Sequence, residues 1–142
     1  MDAYKTLLGE ILIQRKRITP GQLEVALDVQ KQKGGFIGEI LVDLGMLDEQ
    51  DIVVALVIQC GLPYIAVNKY VLDPQIVRLI PREVAQREKV IALDRIGEIL
   101  SLVMVNPLPE EKKNYLETLT KCRVVTFIST RSEIEKAIAR NY

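Results

Sequence analysis

Apolar positions along the first sixty residues recur at helical spacing, and they recur twice. Leu8–Gln30 (LGEILIQRKRITPGQLEVALDVQ) aligns without a gap on Ile37–Gln59 (IGEILVDLGMLDEQDIVVALVIQ), offset by 29 residues. Eight of the 23 positions are identical: Gly9/Gly38, Glu10/Glu39, Ile11/Ile40, Leu12/Leu41, Val25/Val54, Ala26/Ala55, Leu27/Leu56 and Gln30/Gln59. Five more exchange one aliphatic residue for another. A fixed period of this kind marks an internal duplication. Each copy reads as a short helix, a turn and a longer helix. In the longer helices Leu23, Ala26, Leu27 and Gln30, and again Ile52, Ala55, Leu56 and Gln59, fall at i, i+3, i+4 and i+7 and so share one face. Thr19-Pro20-Gly21-Gln22 predicts a capping box with proline at the first helical position, and Asp48 stands in the same place in the second copy. Gly34-Gly35 and Gly61 are placed to stop the long helices, the second backed by Pro63. Residues 1–61 are therefore expected to form two helical hairpins.

After Gly61 the period changes. Tyr64–Val67 is a short strand candidate, and Asp73-Pro74 and Pro81 each open a short helix. Lys89–Asp94 and Glu98–Val105 are β-rich runs around a hairpin at Arg95-Ile96-Gly97. Asn106–Pro109 ends the second strand and opens a helix over Glu110–Thr120. Cys122–Ile128 reads as a further strand, and Thr130-Arg131-Ser132-Glu133 caps a last helix running to about Arg140. Strands and helices alternate at short intervals, so residues 62–142 should form a small α/β sandwich. The expected fold class is α+β, with two tandem helical hairpins packed on that sandwich. The Gly61–Pro63 junction is too short for a free linker, so the halves are expected to make one module.

Composition removes several kinds of chemistry. The chain has 142 residues, balanced charge (19 Lys+Arg, 19 Asp+Glu) and no histidine. Ser-His and Cys-His catalysis and histidine-containing zinc sites are excluded. Two cysteines, Cys60 and Cys122, cannot make a four-cysteine site and read as reduced thiols. Balanced charge argues against a general DNA or RNA binder. The apolar runs Ile52–Ile58 and Ile99–Val105 fall far short of a membrane span. Met1–Lys5 lacks the features of a signal peptide, so a cytoplasmic location is expected. Neither GxxxxGK[ST] nor GxGxxG occurs. Glu110-Glu111 and the Asp48, Glu49, Asp51 group fall in first turns of helices, where acids favour the helix dipole.

A few polar positions stay open between two readings. Arg15, Lys16 and Arg17 are either a solvated turn or an anion contact beside the free N–H groups at Thr19. Gln30 and Gln59 either cap their own hairpins by bonding a backbone carbonyl or present an amide to a ligand. Gly9 and Gly38 serve close helix packing or leave a gap for a flat ligand.

The duplicated pattern resembles the MshEN domain, the N-terminal domain of type II secretion and type IV pilus assembly ATPases of the GspE, PilB and MshE kind. That family's motif, R-L-G-x-x-L-[LVI]-x-x-G-x-[LI]-x-x-x-x-L-x-x-A-L-x-x-Q, occurs as two copies separated by five residues, which gives the offset seen at 7–30 and 36–59. Leu62-Pro63-Tyr64, Leu79-Ile80-Pro81, Val105-Asn106-Pro107-Leu108 and Thr130-Arg131-Ser132-Glu133-Ile134 resemble further family segments. The resemblance implies a domain without catalysis of its own, which docks on the cytoplasmic domain of an inner-membrane platform protein and serves an ATPase motor module in cis or trans. It implies recruitment to the inner face of the inner membrane without insertion. No cofactor is required; cyclic di-GMP is the implied regulatory ligand in some members. The site it implies keeps Leu8, Gly9, Leu12, Leu27 and Gln30 from the first copy and Ile37, Gly38, Leu41, Leu56 and Gln59 from the second. Arg15, Lys16 or Arg17 as a phosphate contact and Phe36 stacking on a guanine complete the candidate site as compensating positions. This sequence departs from the motif at both arginines, replaced by Leu7 and Phe36, and at the first-copy glycine, replaced by Lys16 where the second keeps Gly45. Two lost charge-assisted contacts at ~1.5–3 kcal/mol each would weaken binding about a thousandfold or more. Two hypotheses follow: a protein-interaction adaptor with a degenerate site, or a working cyclic di-GMP sensor.

Overall fold

The two periodicities fold into two compact units, Met1–Gly61 and Leu62–Tyr142. The structure, a computed structural model, describes residues 3–142, with side chains from Leu8 onward. The signal-peptide reading at Met1-Asp2 and the side chain of Leu7, at the first motif-arginine position, lie outside the described residues.

The first unit contains α1 (Ala3–Gln14), α2 (Pro20–Lys33), α3 (Ile37–Asp43) and α4 (Glu49–Cys60). Capping fixes the starts of the long helices. The Gln22 N–H donates to Thr19 Oγ1 at 3.1 Å, and the Thr19 N–H donates back to Gln22 Oε1 at 2.9 Å. At α4 the Asp48 N–H donates to Asp51 Oδ2 at 3.1 Å. Gly34 and Gly61 end α2 and α4 with φ of +72° and +66°, angles that side chains with a Cβ rarely adopt. The main packing then runs between copies: α1 lies chiefly on α4, and α2 on α3. The core is built from Leu8, Leu12, Ile18 and Ala26 of the first copy and Ile37, Leu41, Leu47, Ala55 and Leu56 of the second. Among the described residues no helix is long and apolar enough to cross a membrane.

The second unit contains α5 (Pro74–Val77), α6 (Arg82–Glu88), β1 (Val90–Ile96), β2 (Ile99–Met104), α7 (Glu110–Thr120), β3 (Arg123–Ile128) and α8 (Arg131–Asn141). Among the described residues one sheet forms, in the order β1-β2-β3. The first pair is antiparallel, with Val90 opposite Met104 and Ile96 opposite Ile99. The second is parallel, with Ile99 opposite Arg123 and Met104 opposite Ile128. A parallel pair needs a crossover, which α7 supplies. Helices α5, α6 and α8 pack against β1, and α7 against β3. Leu100, Leu102 and Met104 of β2 lie in the core with Val124 and Ile128 of β3. Together the helices and this sheet make the fold α+β.

Two strand expectations need correction. The hairpin turns at Gly97-Glu98, not at Arg95-Ile96-Gly97, because Gly97 takes the positive φ of +61° that a two-residue turn uses. Arg95 and Ile96 stay in the ladder, after a bulge between Ala92 and Asp94 that leaves Leu93 unpaired. Tyr64–Val67 is not a strand. Only Tyr64 bridges Ile128, and the chain then enters a 3₁₀ turn at Val67–Lys69. Ser129 is the cause: its hydroxyl donates to the Ile65 carbonyl, and its oxygen accepts from the Val67 N–H at 3.3 Å. A side chain thus takes the backbone groups that a strand partner would need.

Side-chain links close this unit. The Tyr64 hydroxyl donates to Glu133 Oε2 at 2.6 Å, while Glu133 Oε1 accepts from the Thr130 N–H in the capping box of α8. Glu88, a tenth exposed, receives Lys112 of α7 at 2.9 Å and Arg87 at 3.0 Å. Burial pushes its carboxyl up, but these hydrogen bonds outweigh that and hold it below the usual carboxylate value. Tyr142 Oη lies 2.7 Å from the Ile80 carbonyl and 2.9 Å from that of Val77, and burial pushes its phenol up to about 12. On edge strand β3 the Val124 N–H donates to Glu117 Oε2 at 2.9 Å, which blunts that part of the edge.

Candidate functional site

The site residues read from the sequence all lie in the first unit, and the structure sorts them into three layers. Leu8, Gly9, Leu12, Ile37, Gly38, Leu41 and Leu56 are buried, the five large ones at 1% exposure or less. They are spaced i, i+4 on α1 (Leu8, Leu12) and on α3 (Ile37, Leu41), which turns them inward together. The glycines explain how closely the helices approach. A Cβ on Gly9 would sit 2.7 Å from Leu23 Cδ2, and one on Gly38 would sit 3.1 Å from Ile52 Cγ2. Leu23 and Ile52 are themselves equivalent positions of the two copies, so the same contact is made twice. This close approach is what the helix-packing reading of the glycines requires.

Leu27, Gln30 and Gln59 form a half-buried layer. Gln30 Nε2 donates to the Gly35 carbonyl at 2.9 Å, the bond to its own hairpin that one of the two readings requires. The two copies differ here, for Leu56 is fully buried where Leu27 is not.

Arg15, Lys16, Arg17 and Phe36 are exposed. Phe36, at 43%, is the residue before α3. Arg17 Nε pairs with Asp51 Oδ1 at 3.3 Å, tying the turn of the first copy to the start of α4. Exposed pairs of this kind contribute at most about 1 kcal/mol, yet this one directs a candidate phosphate ligand toward a carboxylate. Asp51 was not among the residues read as partners of this turn. Its acidic, capping position was visible, but nothing local showed that the turn of the other copy comes to meet it.

Lys16 has φ +59°, and Gly45, 29 residues on, has φ +76°. The turn geometry is thus preserved where its glycine is not, at the cost of left-handed backbone in a residue with a Cβ. Lys16→Gly is expected to raise the unfolding free energy by about 0.5–1 kcal/mol. Urea denaturation followed by circular dichroism checks this, and a loss of stability would mean the lysine side chain makes an offsetting contact.

Other chemistry is sparse. Cys60 and Cys122 are free thiols, and burial pushes the Cys60 thiol up. Among the described residues no group of three or more cysteine or acidic side chains is placed to hold a metal ion.

These features define a class: a duplicated helical unit with closed apolar packing, joined to a three-stranded α/β unit. The MshEN domain family matches residues 60–142, and the chain belongs to that family. The match falls on the sheet-containing half. Relatives extend further. The type IV pilus assembly ATPase PilB of Myxococcus xanthus is 32% identical over 135 residues, 95% of this chain. The protein of the same name from Thermus thermophilus is 30% identical over 137 residues, again 95% of this chain. The chain spans only 24% and 15% of those two proteins. Among solved structures, MshE with cdg (cyclic di-GMP) is similar at a TM-score of 0.78 and 27% identity, covering 95% of this chain and 98% of that one. The N-terminal domain of XpsE has the same fold, with a TM-score of 0.82 at 20% identity over 96% of this chain and 94% of that one.

Proposed function

We propose that the chain is a non-catalytic regulatory and docking module of a type II secretion or type IV pilus assembly ATPase system, an adaptor whose cyclic di-GMP site is degenerate. The observation that carries this reading is the closure of the repeat unit. The leucines and isoleucine that would wall a ligand are buried at 1% exposure or less, and Leu23 and Ile52 fill the space beside both glycines. Leu7 and Phe36 stand where the motif has arginines, so the charge-assisted phosphate contacts are missing as well. The docking partner in this reading is the cytoplasmic domain of an inner-membrane platform protein. The motor lies in cis or trans, and the module works on the cytoplasmic side of that membrane.

A second reading is supported by the likeness to MshE with cdg, which spans 95% of this chain. In it both copies bind cyclic di-GMP. Phe36 stacks on a base, Arg15 or Lys16 meets a phosphate, and Gln30 and Gln59 supply polar contacts. Calorimetric titration of cyclic di-GMP, with GTP and cyclic di-AMP as controls, separates the two. The adaptor reading expects no saturable heat up to ~1 mM ligand, corresponding to no more than about 4 kcal/mol of binding free energy. Selective micromolar binding, lost in folded Gln30→Ala and Gln59→Ala variants, would establish the sensor and end the adaptor-only reading.

A further inference from the structure

The two repeat copies meet at a joint of three exposed residues, Gly34, Gly35 and Phe36, between the end of α2 and the start of α3. Gly34 and Gly35 take φ of +72° and +96°, and a Cβ on either would meet nothing within 4 Å. Gly34, at ψ −167°, lies in a region that is essentially glycine's alone. The bonds at this joint are local: the Gly34 N–H donates to the Gln30 carbonyl at 2.7 Å, and Gln30 Nε2 donates to that of Gly35 at 2.9 Å.

On either side of the joint the helices hold together in pairs. Gly9 lies against Leu23 in the first pair, and Gly38 against Ile52 in the second. The seam between the pairs, α1 on α4 and α2 on α3, is packed with buried aliphatic side chains. The exposed ion pair of Arg17 with Asp51 crosses it. Among the described residues no backbone hydrogen bond joins one pair to the other. Such a seam does not require both pairs to belong to one chain. A second chain offers the same α3–α4 surface to α1–α2, with the packing of the closed form kept and the joint alone changed. Glycine carries the angles of the closed joint without strain. The closed chain and an exchanged pair of chains therefore differ little in energy at the joint, and concentration decides between them.

We propose that two copies of this chain exchange helix pairs, α1–α2 of each closing on α3–α4 of the other, with Gly34-Gly35 as the hinge. The partner is a second copy of this chain, and the contact it makes is the seam already present within one. The two opened joints run side by side and cover Phe36, which is 43% exposed in the closed chain. This self-association stands apart from both the docking and the nucleotide readings above.

The full chain is refolded from urea at ~1 mM, with reductant present because Cys60 is a free thiol. Size-exclusion chromatography with light scattering is expected to show a dimer that refolding at ~1 μM does not give. When isotope-labelled and unlabelled chains are refolded together, isotope-filtered NOEs are expected between α1 methyl groups of one chain and α4 methyl groups of the other. The Gly34→Ala, Gly35→Ala double variant strains the closed joint and not the opened one. It is expected to lower the dimer's dissociation constant about a hundredfold or more. Deleting Gly34 and Gly35 removes the turn, and the chain is then expected to be dimeric at ~1 μM as well. Circular dichroism checks that each variant is folded. Monomer alone from the natural chain at the higher concentration would overturn the exchange. So would a dimer without α1–α4 contacts between chains, or a folded hinge variant that dimerises no more tightly than the natural chain.

Discussion

Leu41→Ala is expected to lower the unfolding free energy by about 2–5 kcal/mol with no ligand present, the range for emptying a closed aliphatic site. Leu41 is fully buried, and so is Leu12, its equivalent in the first copy. Leu12→Ala should therefore fall in the same range. Urea denaturation of each variant in nucleotide-free buffer is the measurement. The result bears on function, because a residue reserved for walling a nucleotide would face solvent when the nucleotide is absent. Its truncation would then leave the free chain almost as stable as before. A change under about 0.5 kcal/mol, the scale of exposed positions, would mean that the repeat unit is open in solution and that the adaptor reading has lost its main support.

Ser129→Ala is expected to cost about 1–3 kcal/mol, the penalty for leaving buried backbone groups unpaired. Ser129 is 1% exposed and Val67 fully buried, and one hydroxyl serves both the Ile65 carbonyl and the Val67 N–H. The loss should be local first. Hydrogen exchange at the Val67 amide is expected to accelerate more than exchange in β2, since the 3₁₀ turn opens before the sheet does. Uniform acceleration across the unit would show that the serine supports the whole core rather than this segment. Ser129→Thr keeps the hydroxyl and separates its loss from a packing effect.

Helix ends were the part of the fold most legible in the sequence, because capping is local chemistry. Thr19, Asp48, Pro74, Pro81, Pro109 and Thr130 mark the starts of helices in the structure as their side chains and rings dictate. The core positions of the repeats were legible for the same reason, since a helical period and a duplication both point at them. What remained hidden depended on residues distant in the chain. A β-prone tetrapeptide at Tyr64–Val67 gives no hint that a serine more than sixty positions later will take its hydrogen bonds. The hairpin was misplaced by two residues because Gly97, not the residues before it, selects the turn. In the candidate site, periodicity gave the same inward face for a ligand wall and for a helix core. The burial of Leu12 and Leu41 and the fill beside Gly9 and Gly38 are what the helix-core reading expects.

The pairing of α1 with α4 and of α2 with α3 has a consequence for how such a unit arises. Exchange the two copies, and each pairing becomes the other; this is the isologous relation of a two-fold dimer, in which patch i meets j and j meets i. One copy alone holds half of two interfaces and a complete version of neither. A single hairpin of this kind would find its complement in a second molecule of itself. Joined in one chain, the same interlock no longer depends on concentration. The seam between the copies has the symmetry of a homodimer interface held within one chain, and its two halves need not be packed alike: Leu56 is fully buried and its identical counterpart Leu27 is not.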